Sequence, residues 1–264
     1  MSFVIFTDLD GTLLDHASYS YAPAKPALAL LHKLDIPLIL ASSKTAFEIA
    51  PLREELGFAH CPAIVENGAG LLPAGAEPES LAGAESDYQR IRAILDQMPA
   101  DLRRHFTGFG DWSIEEIAAQ TGLPQQNAAL AARRLFSEPG LFTGNADEKR
   151  LFEDHIEKQG LKARQGGRYF TLSFGATKAD QMQGILKERS AATTSIISIA
   201  LGDAANDIEM LETADYGVII NNPAGKPLSP LKGEQNGHIL RTEEPGPIGW
   251  NRAILDHIGR LQPV

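Results

Sequence analysis

Val4-Ile5-Phe6-Thr7-Asp8-Leu9-Asp10-Gly11-Thr12-Leu13-Leu14-Asp15 decides how this chain is read. Residues 4–6 are apolar and mostly β-favouring, which predicts a short buried strand. Alternate strand residues point the same way, so Asp8 and Asp10 can face one point just past its end. Gly11 then lets the chain turn away. In open α/β sheets, ligands bind at that point, outside the carboxyl ends of the strands. Two carboxylates so close need a proton or a divalent cation to neutralise them. The pair also offers chemistry, one carboxylate as nucleophile and its neighbour as general acid and base. A bare D-x-D is more often a solvated strand end, so the rest of the chain has to decide.

Outward from this strand the pattern repeats. A helix opened by Pro23, with Leu28, Leu30, Leu31 and Leu34 on or near one face, precedes a strand over 36–41. That strand is apolar throughout, as burial on both faces demands, and ends in Ser42-Ser43-Lys44-Thr45. A helix over about 46–56, closed by Gly57, leads to a third strand, Ala63-Ile64-Val65, which ends in Glu66-Asn67-Gly68-Ala69. This alternation predicts an α/β, Rossmann-like parallel-sheet core.

The rhythm breaks at 73–86, a linker rich in Ala, Gly, Pro, Glu and Ser. Helical patterns follow over 88–98, 114–121 and 125–135. Thr107-Gly108-Phe109-Gly110-Asp111-Trp112 reads as a loop, and Ser113 with Glu116 as a capping box. Strand-like pieces surround 141–143, 161–164 and 169–174, with a helix at about 146–159 between the first two. Such a mixture predicts an inserted α+β domain over residues 84–174, with residues 1–83 and 175–264 forming the core. The parallel rhythm resumes with a helix over 178–189 and the strongest strand, 195–201, which ends in Gly202-Asp203-Ala204-Ala205-Asn206-Asp207. A helix through Glu212, a strand over 216–220, a Gly/Pro-rich loop and a helix over 248–261 close the chain.

Composition narrows the function. The chain has 264 residues, 43% of them hydrophobic, enough to bury a substantial core. A net charge of −10 disfavours nucleic acid and anionic membranes as partners. It would also repel a free anion, so a phosphate site needs a local patch of metal and Lys or Arg. Cys61 is the only cysteine, which excludes an internal disulfide, suits a reducing cytoplasm and reads as a buried, inert thiol. The first residues enter a strand with no basic, apolar leader, and no apolar run approaches the ~20 residues that span a bilayer. His16, His32, His60 and His105 lack metal-ligand spacing.

Four polar clusters end the predicted strands: Asp8 with Asp10, Ser42 with Ser43 and Lys44, Glu66 with Asn67, and Asp203 with Asn206 and Asp207. Lys178 starts the helix before the last of them. In order, Asp8-Leu9-Asp10-Gly11-Thr12, Ser42, Lys178 and Gly202-Asp203-Ala204-Ala205-Asn206-Asp207 resemble the four motifs of the haloacid dehalogenase-like superfamily. The inserted domain resembles that superfamily's C2-type cap. Ser42-Ser43-Lys44-Thr45, Glu66-Asn67-Gly68-Ala69, Thr107-Gly108-Phe109, Thr121-Gly122-Leu123-Pro124, Phe136-Ser137-Glu138-Pro139 and Gly166-Gly167-Arg168-Tyr169 resemble the mannosyl-3-phosphoglycerate phosphatase family.

The resemblance implies a Mg²⁺-dependent phosphatase acting on a small phosphorylated sugar or glycosyl-glycerate. Asp8, ionised like an ordinary aspartate of pKa ~3.9, would attack phosphorus. Asp10 would protonate the leaving oxygen and then deprotonate water. Two displacements are each easier than one very slow hydrolysis. Ser42 and Lys178 would hold phosphoryl oxygens. Hard Mg²⁺ suits oxygen ligands. Its ligands would be Asp8, the Asp10 main-chain carbonyl and Asp203, with Asp207 an outer or water-mediated ligand. Asn206 would belong to the metal site too, as a ligand or by orienting Asp203 or Lys178. Ser43, Glu66 and Asn67 would border the substrate, and Lys44 would either touch it or pair with a helix acid. Arg164 and Arg168, beside Gly166 and Gly167, would suit a glycerate carboxylate if surface acids do not take them. Phe109 and Trp112 would stack on a sugar or fill the cap core. Mannosyl-3-phosphoglycerate is the first substrate expected, with glucosyl-3-phosphoglycerate and sucrose phosphate as alternatives. A phosphosugar mutase shares the motifs. A binding protein without catalysis would be expected to lack Asp8 or Asp10. The oligomeric state is not read from the sequence.

Overall fold

Each apolar run of the core forms the strand its sequence favours. In chain order the elements are β1 (Ser2–Thr7), α1 (Lys25–Lys33), β2 (Leu38–Leu40), α2 (Ala46–Glu55), β3 (Ala63–Val65) and β4 (Gly70–Leu72). Next come α3 (Asp87–Asp96), α4 (Ala100–Arg103), β5 (Phe106–Gly108), α5 (Ile114–Thr121), α6 (Gln125–Ala131), β6 (Ser137–Phe142), α7 (Ala146–Glu157), β7 (Lys162–Gln165) and β8 (Phe170–Ser173). The last are α8 (Lys178–Ser190), β9 (Ile196–Gly202), α9 (Ile208–Thr213), β10 (Tyr216–Asn221), β11 (Ile239–Pro245) and α10 (Gly246–Leu261). The computed structural model describes residues 2–83, 86–166, 168–191 and 196–261, so the expectations for Ser195, Gly167 and linker residues 84 and 85 lie outside it.

A parallel sheet runs β11-β10-β9-β1-β2. Phe3, Val4, Ile5 and Phe6 of β1 are all buried, as a strand covered on both faces requires. Helices α1 and α10 pack together, as do α8 and α9. The expected third parallel strand departs from the pattern. Among the described residues β3 meets the sheet edge through the single parallel bridge Ala41–Ile64, and then folds back with β4 as a hairpin. Cys61, at the foot of β3, is fully buried, and burial pushes its thiol pKa up.

Between β4 and α8 the chain builds a second, antiparallel sheet, β5-β6-β8-β7. Phe106, Phe170 and Leu172 project from one face onto Ile91, Leu95, Phe152 and Ile156, forming an apolar core of their own. Side chains alternate across a strand, and the register pairs Ser137 with Ser173, Lys162 with Ser173, and Arg164 with Thr171. Ser137, Thr171, Ser173, Lys162 and Arg164 therefore share the other face. The expected helix over 125–135 stops at Ala131, and the next residues turn to meet the core.

Candidate active site

The end of β1 carries Asp8, whose main-chain N–H donates to Leu201 of β9 at 2.8 Å and so holds the residue at the sheet end. Lys178 is the first residue of α8, behind a capping box formed by Thr177 and Asp180. Its ammonium lies 2.7 Å from Asp8 Oδ1 and 2.7 Å from Asp207 Oδ1. The other Asp207 oxygen accepts from the main-chain N–H groups of Asp203 and Ala204, each at 3.1 Å. Asp203 accepts from Thr12 Oγ1 at 2.8 Å and from Asn222 Nδ2 at 2.7 Å. Gly11 is forced here. Its φ is +83°, and a Cβ would stand 2.2 Å from Asn222 Nδ2.

Asp8, Asp203 and Asp207 present carboxylate oxygens within 4.8 Å of one another. One ammonium stands against three acids. Burial pushes Asp8 well above the usual carboxylate range, Lys178 opposes this, and Asp207 and Asp203 add to it. Burial likewise raises Asp203. Burial alone would lower Lys178, yet Asp207 and Asp8 hold it above its ordinary value. In the cation-free protein Asp8 therefore departs from an ordinary aspartate, its pKa raised chiefly by burial. A hard divalent cation suits this surplus of buried carboxylate oxygen. Asp8, Asp203 and Asp207 are the residues that could hold it; Asp207 is engaged at both oxygens by Lys178 and two main-chain N–H groups, and Asp203 at both by Thr12 and Asn222.

Asp10 follows two residues later, half-buried. Its Oδ2 lies 2.9 Å from Lys44 Nζ, while Oδ1 is buried with no partner. Lys44 thus pairs with Asp10 and not with a helix acid. Its own burial would lower its pKa, but Asp10 holds it above the ordinary value. Ser42 is buried, and its Oγ accepts from the Lys44 N–H at 3.2 Å. Ser43 turns its carbonyl to Arg134 Nη1 at 3.4 Å.

Three expected site residues stand elsewhere. Glu66 is buried, with no surface to offer a substrate. Its carboxylate accepts from Leu135 N at 2.9 Å, Phe136 N at 3.2 Å and Ser137 Oγ at 2.7 Å, and pairs with Arg134 at 3.2 Å. Asn206 joins neither Asp203 nor Lys178; its Nδ2 donates to Asn67 Oδ1 at 3.0 Å. Arg168 is exposed and donates to the Gln120 main-chain oxygen within the inserted block. Arg164 pairs with Glu209 of α9 at 3.4 Å, bridging the inserted block and the core. Phe109 and Trp112 pack against each other in a small apolar core. Sequence reasoning missed Asn222 and gave Thr12 no separate role. A polar residue just past β10 was the one signal for Asn222.

Two full-length relatives bear the name glucosyl-3-phosphoglycerate/mannosyl-3-phosphoglycerate phosphatase. One, from Methanococcoides burtonii, is 34% identical over 274 residues, 98% of each chain. The other, from Persephonella marina, is 36% identical over 272 residues, again 98% of each. Among solved structures, a Thermoplasma acidophilum protein superposes with a TM-score of 0.65 at 15% identity, covering 97% of this chain and 98% of its own. The sucrose-phosphatase of Synechocystis sp. PCC6803, solved with sucrose and phosphate, gives 0.60 at 16% identity over 98% of both chains. These two likenesses speak for the fold. Residues 5–121 and 141–226 match the haloacid dehalogenase-like hydrolase pattern, and with the two full-length relatives this makes the chain a member of that family.

Proposed function

We propose that this protein is a Mg²⁺-dependent phosphatase that hydrolyses glucosyl- or mannosyl-3-phosphoglycerate through an aspartyl phosphate on Asp8. The observation that carries the chemistry is Asp8 itself, held 2.7 Å from Lys178 with Asp10 two residues on. A free Asp8 oxygen attacks phosphorus, and the bond to the sugar-acid oxygen breaks. Asp10 gives that oxygen a proton. Asp10 then takes a proton from water, which displaces phosphate from Asp8. Lys178 and Ser42 steady the phosphoryl oxygens. A divalent cation, which Asp8, Asp203 and the Asp10 carbonyl would hold, would supply positive charge to nucleophile and phosphoryl group together.

Support for the substrate comes from the two relatives' names. The inserted block, residues 84–174, acts as a cap. Its face bearing Lys162, Arg164, Thr171 and Ser173 suits an anionic polyol, with hydroxyls for the sugar and two cations for the carboxylate. Arg164 is better sited than Arg168 for this role, because it shares that face with Ser137, which touches the core. The test is phosphate release from a panel of sugar phosphates and both glycosyl-3-phosphoglycerates, with Mg²⁺ and with chelator. Turnover of one or both glycosyl-3-phosphoglycerates, well above all others and lost with chelator, supports the reading. A broad weak profile, or full activity in excess chelator, contradicts it.

A further inference from the structure

The sequence suggests Glu66 as a residue beside the substrate, and the structure puts it in a different mechanical position. Residues 66, 67 and 68 have φ of +52°, +60° and +91°. Left-handed backbone at two successive non-glycine residues is uncommon and persists only where surroundings enforce it. Four contacts enforce it here. The Glu66 N–H donates to the Lys44 carbonyl at 2.9 Å, and the Asn67 N–H to the Ser42 carbonyl at 2.8 Å. The Asn67 side chain accepts from Asn206. Gly68 lies against the start of α8, where a Cβ would come 2.0 Å from the Thr177 carbonyl carbon, and its own carbonyl accepts from Gln181 Nε2 at 3.1 Å. This one turn thus touches the Ser42 loop, the Asn206 loop and the helix end that presents Lys178.

The turn's remaining arm is the Glu66 carboxylate, and it points into the inserted block. There it gathers the N–H groups of residues 135 and 136, the Ser137 hydroxyl and the Arg134 guanidinium. Arg134 returns to the core at the Ser43 carbonyl, and Thr45 Oγ1 donates to the Leu130 carbonyl at 3.1 Å. The cap is therefore clamped to the catalytic loops at residues 130–137. We propose that Glu66 is a positioning residue: by seating this cap segment on the turn, it fixes Ser42 and Lys178 around Asp8. This rests on the phosphatase reading above, and deepens it.

The test uses the full-length protein with Glu66→Gln, Ser137→Ala and, as a control, Arg133→Ala. Arg133 joins the same cap segment to the core through Glu79 and the Phe47 ring, without touching Glu66. In Glu66→Gln, the new amide N–H₂ would face groups that are themselves donors. Each variant is assayed with p-nitrophenyl phosphate and with mannosyl-3-phosphoglycerate, well below its melting temperature and normalised to folded protein. Glu66→Gln should lower kcat on both substrates by the same factor, about tenfold to ~10²-fold, with KM for p-nitrophenyl phosphate within about twofold of wild type. Ser137→Ala should show a smaller loss, again equal on both substrates, and Arg133→Ala should stay within about twofold. The Asn67 and Gln181 amides should exchange hydrogen faster in Glu66→Gln. A rise in KM for mannosyl-3-phosphoglycerate alone would make Glu66 a substrate residue and overturn the proposal. A lowered melting temperature with unchanged kcat would make it merely structural, with the same consequence. If Glu66→Gln does not fold, the equal or unequal loss in Ser137→Ala decides. If the wild-type protein hydrolyses neither substrate, the phosphatase reading fails by itself, and unchanged amide exchange would still overturn the role given to Glu66.

Discussion

Lys178 is fully buried between two carboxylates, and each of its contacts serves both folding and chemistry. Removing one partner of such a group leaves an unpaired buried charge, typically at a cost of about 3–5 kcal/mol. Lys178→Met should therefore lose activity by more than ~10²-fold. It should also bind Mg²⁺ at least as well as wild type, because the ammonium competes for Asp8. Titration calorimetry checks this, and much weaker Mg²⁺ binding would argue against the charge arrangement. Proton linkage offers a second test. Asp8 and Asp203 are raised in the cation-free fold, so at these two groups the folded state binds more protons than the unfolded one. Their contribution to stability is therefore fully present below the unfolded carboxylate pKa of ~3.9, and is lost as pH rises through the raised folded values. Mg²⁺ needs the deprotonated acids, so its stabilisation must grow over the same range. The rise in melting temperature on adding Mg²⁺ should be larger at about pH 7.5 than at about pH 5, and equal rises would contradict the assignment. At this scale the sequence was informative where chemistry is local: Asp8, Asp10 and Gly11 announce themselves by spacing. Asn222 did not, because its partner Asp203 is 19 residues away and only the fold joins them. Glu66 misled because a carboxylate looks the same in sequence whether it faces a substrate or protein N–H groups.

Elements were legible where one period of hydrophobicity dominates. α5 begins where the Ser113 box says it should and ends at Thr121 as its pattern predicts, and β1 and β9 read as buried strands from their apolar runs. β5 was hidden, since Phe106-Thr107-Gly108 is three residues long and runs into a glycine-containing turn. β11 was hidden for another reason. It is the sheet's edge strand, and Arg241, Thr242, Glu243 and Glu244 give it the charged composition that protects such edges. In the cap, strand register carries a prediction that neither sequence nor helix periodicity offers. Arg164 and Lys162 share the face that bears Ser137, whereas Arg168 sits in the β7–β8 turn. Arg164→Ala should lower kcat/KM for a glycosyl-3-phosphoglycerate by ~10-fold to 10²-fold, the scale of one charge-assisted bond, and leave p-nitrophenyl phosphate nearly unchanged. Equal loss on both substrates would make the Glu209 pair, and not the substrate, the purpose of Arg164.

At the scale of the whole molecule, the net charge of −10 sets the electrostatic problem. A glycosyl-3-phosphoglycerate would approach an acidic surface, and the positive groups proposed to meet it are Lys44, Lys162, Arg164 and Lys178, with a divalent cation. Two bodies of structure meet that problem together. A parallel sheet holds the reacting groups at its strand ends, and an antiparallel sheet is clamped above it at Glu66. No helix among the described residues is long and apolar enough to cross a membrane. The central claim is that Asp8 is the nucleophile of a phosphatase, and one comparison tests it most directly. Phosphate release from mannosyl-3-phosphoglycerate is measured with Mg²⁺ for wild type and Asp8→Asn, both shown to be folded. The nearly isosteric amide cannot attack phosphorus, so the variant should fall below about a hundredth of wild-type kcat, beyond what loss of one auxiliary group typically costs. A folded Asp8→Asn protein that keeps more than that would contradict the account.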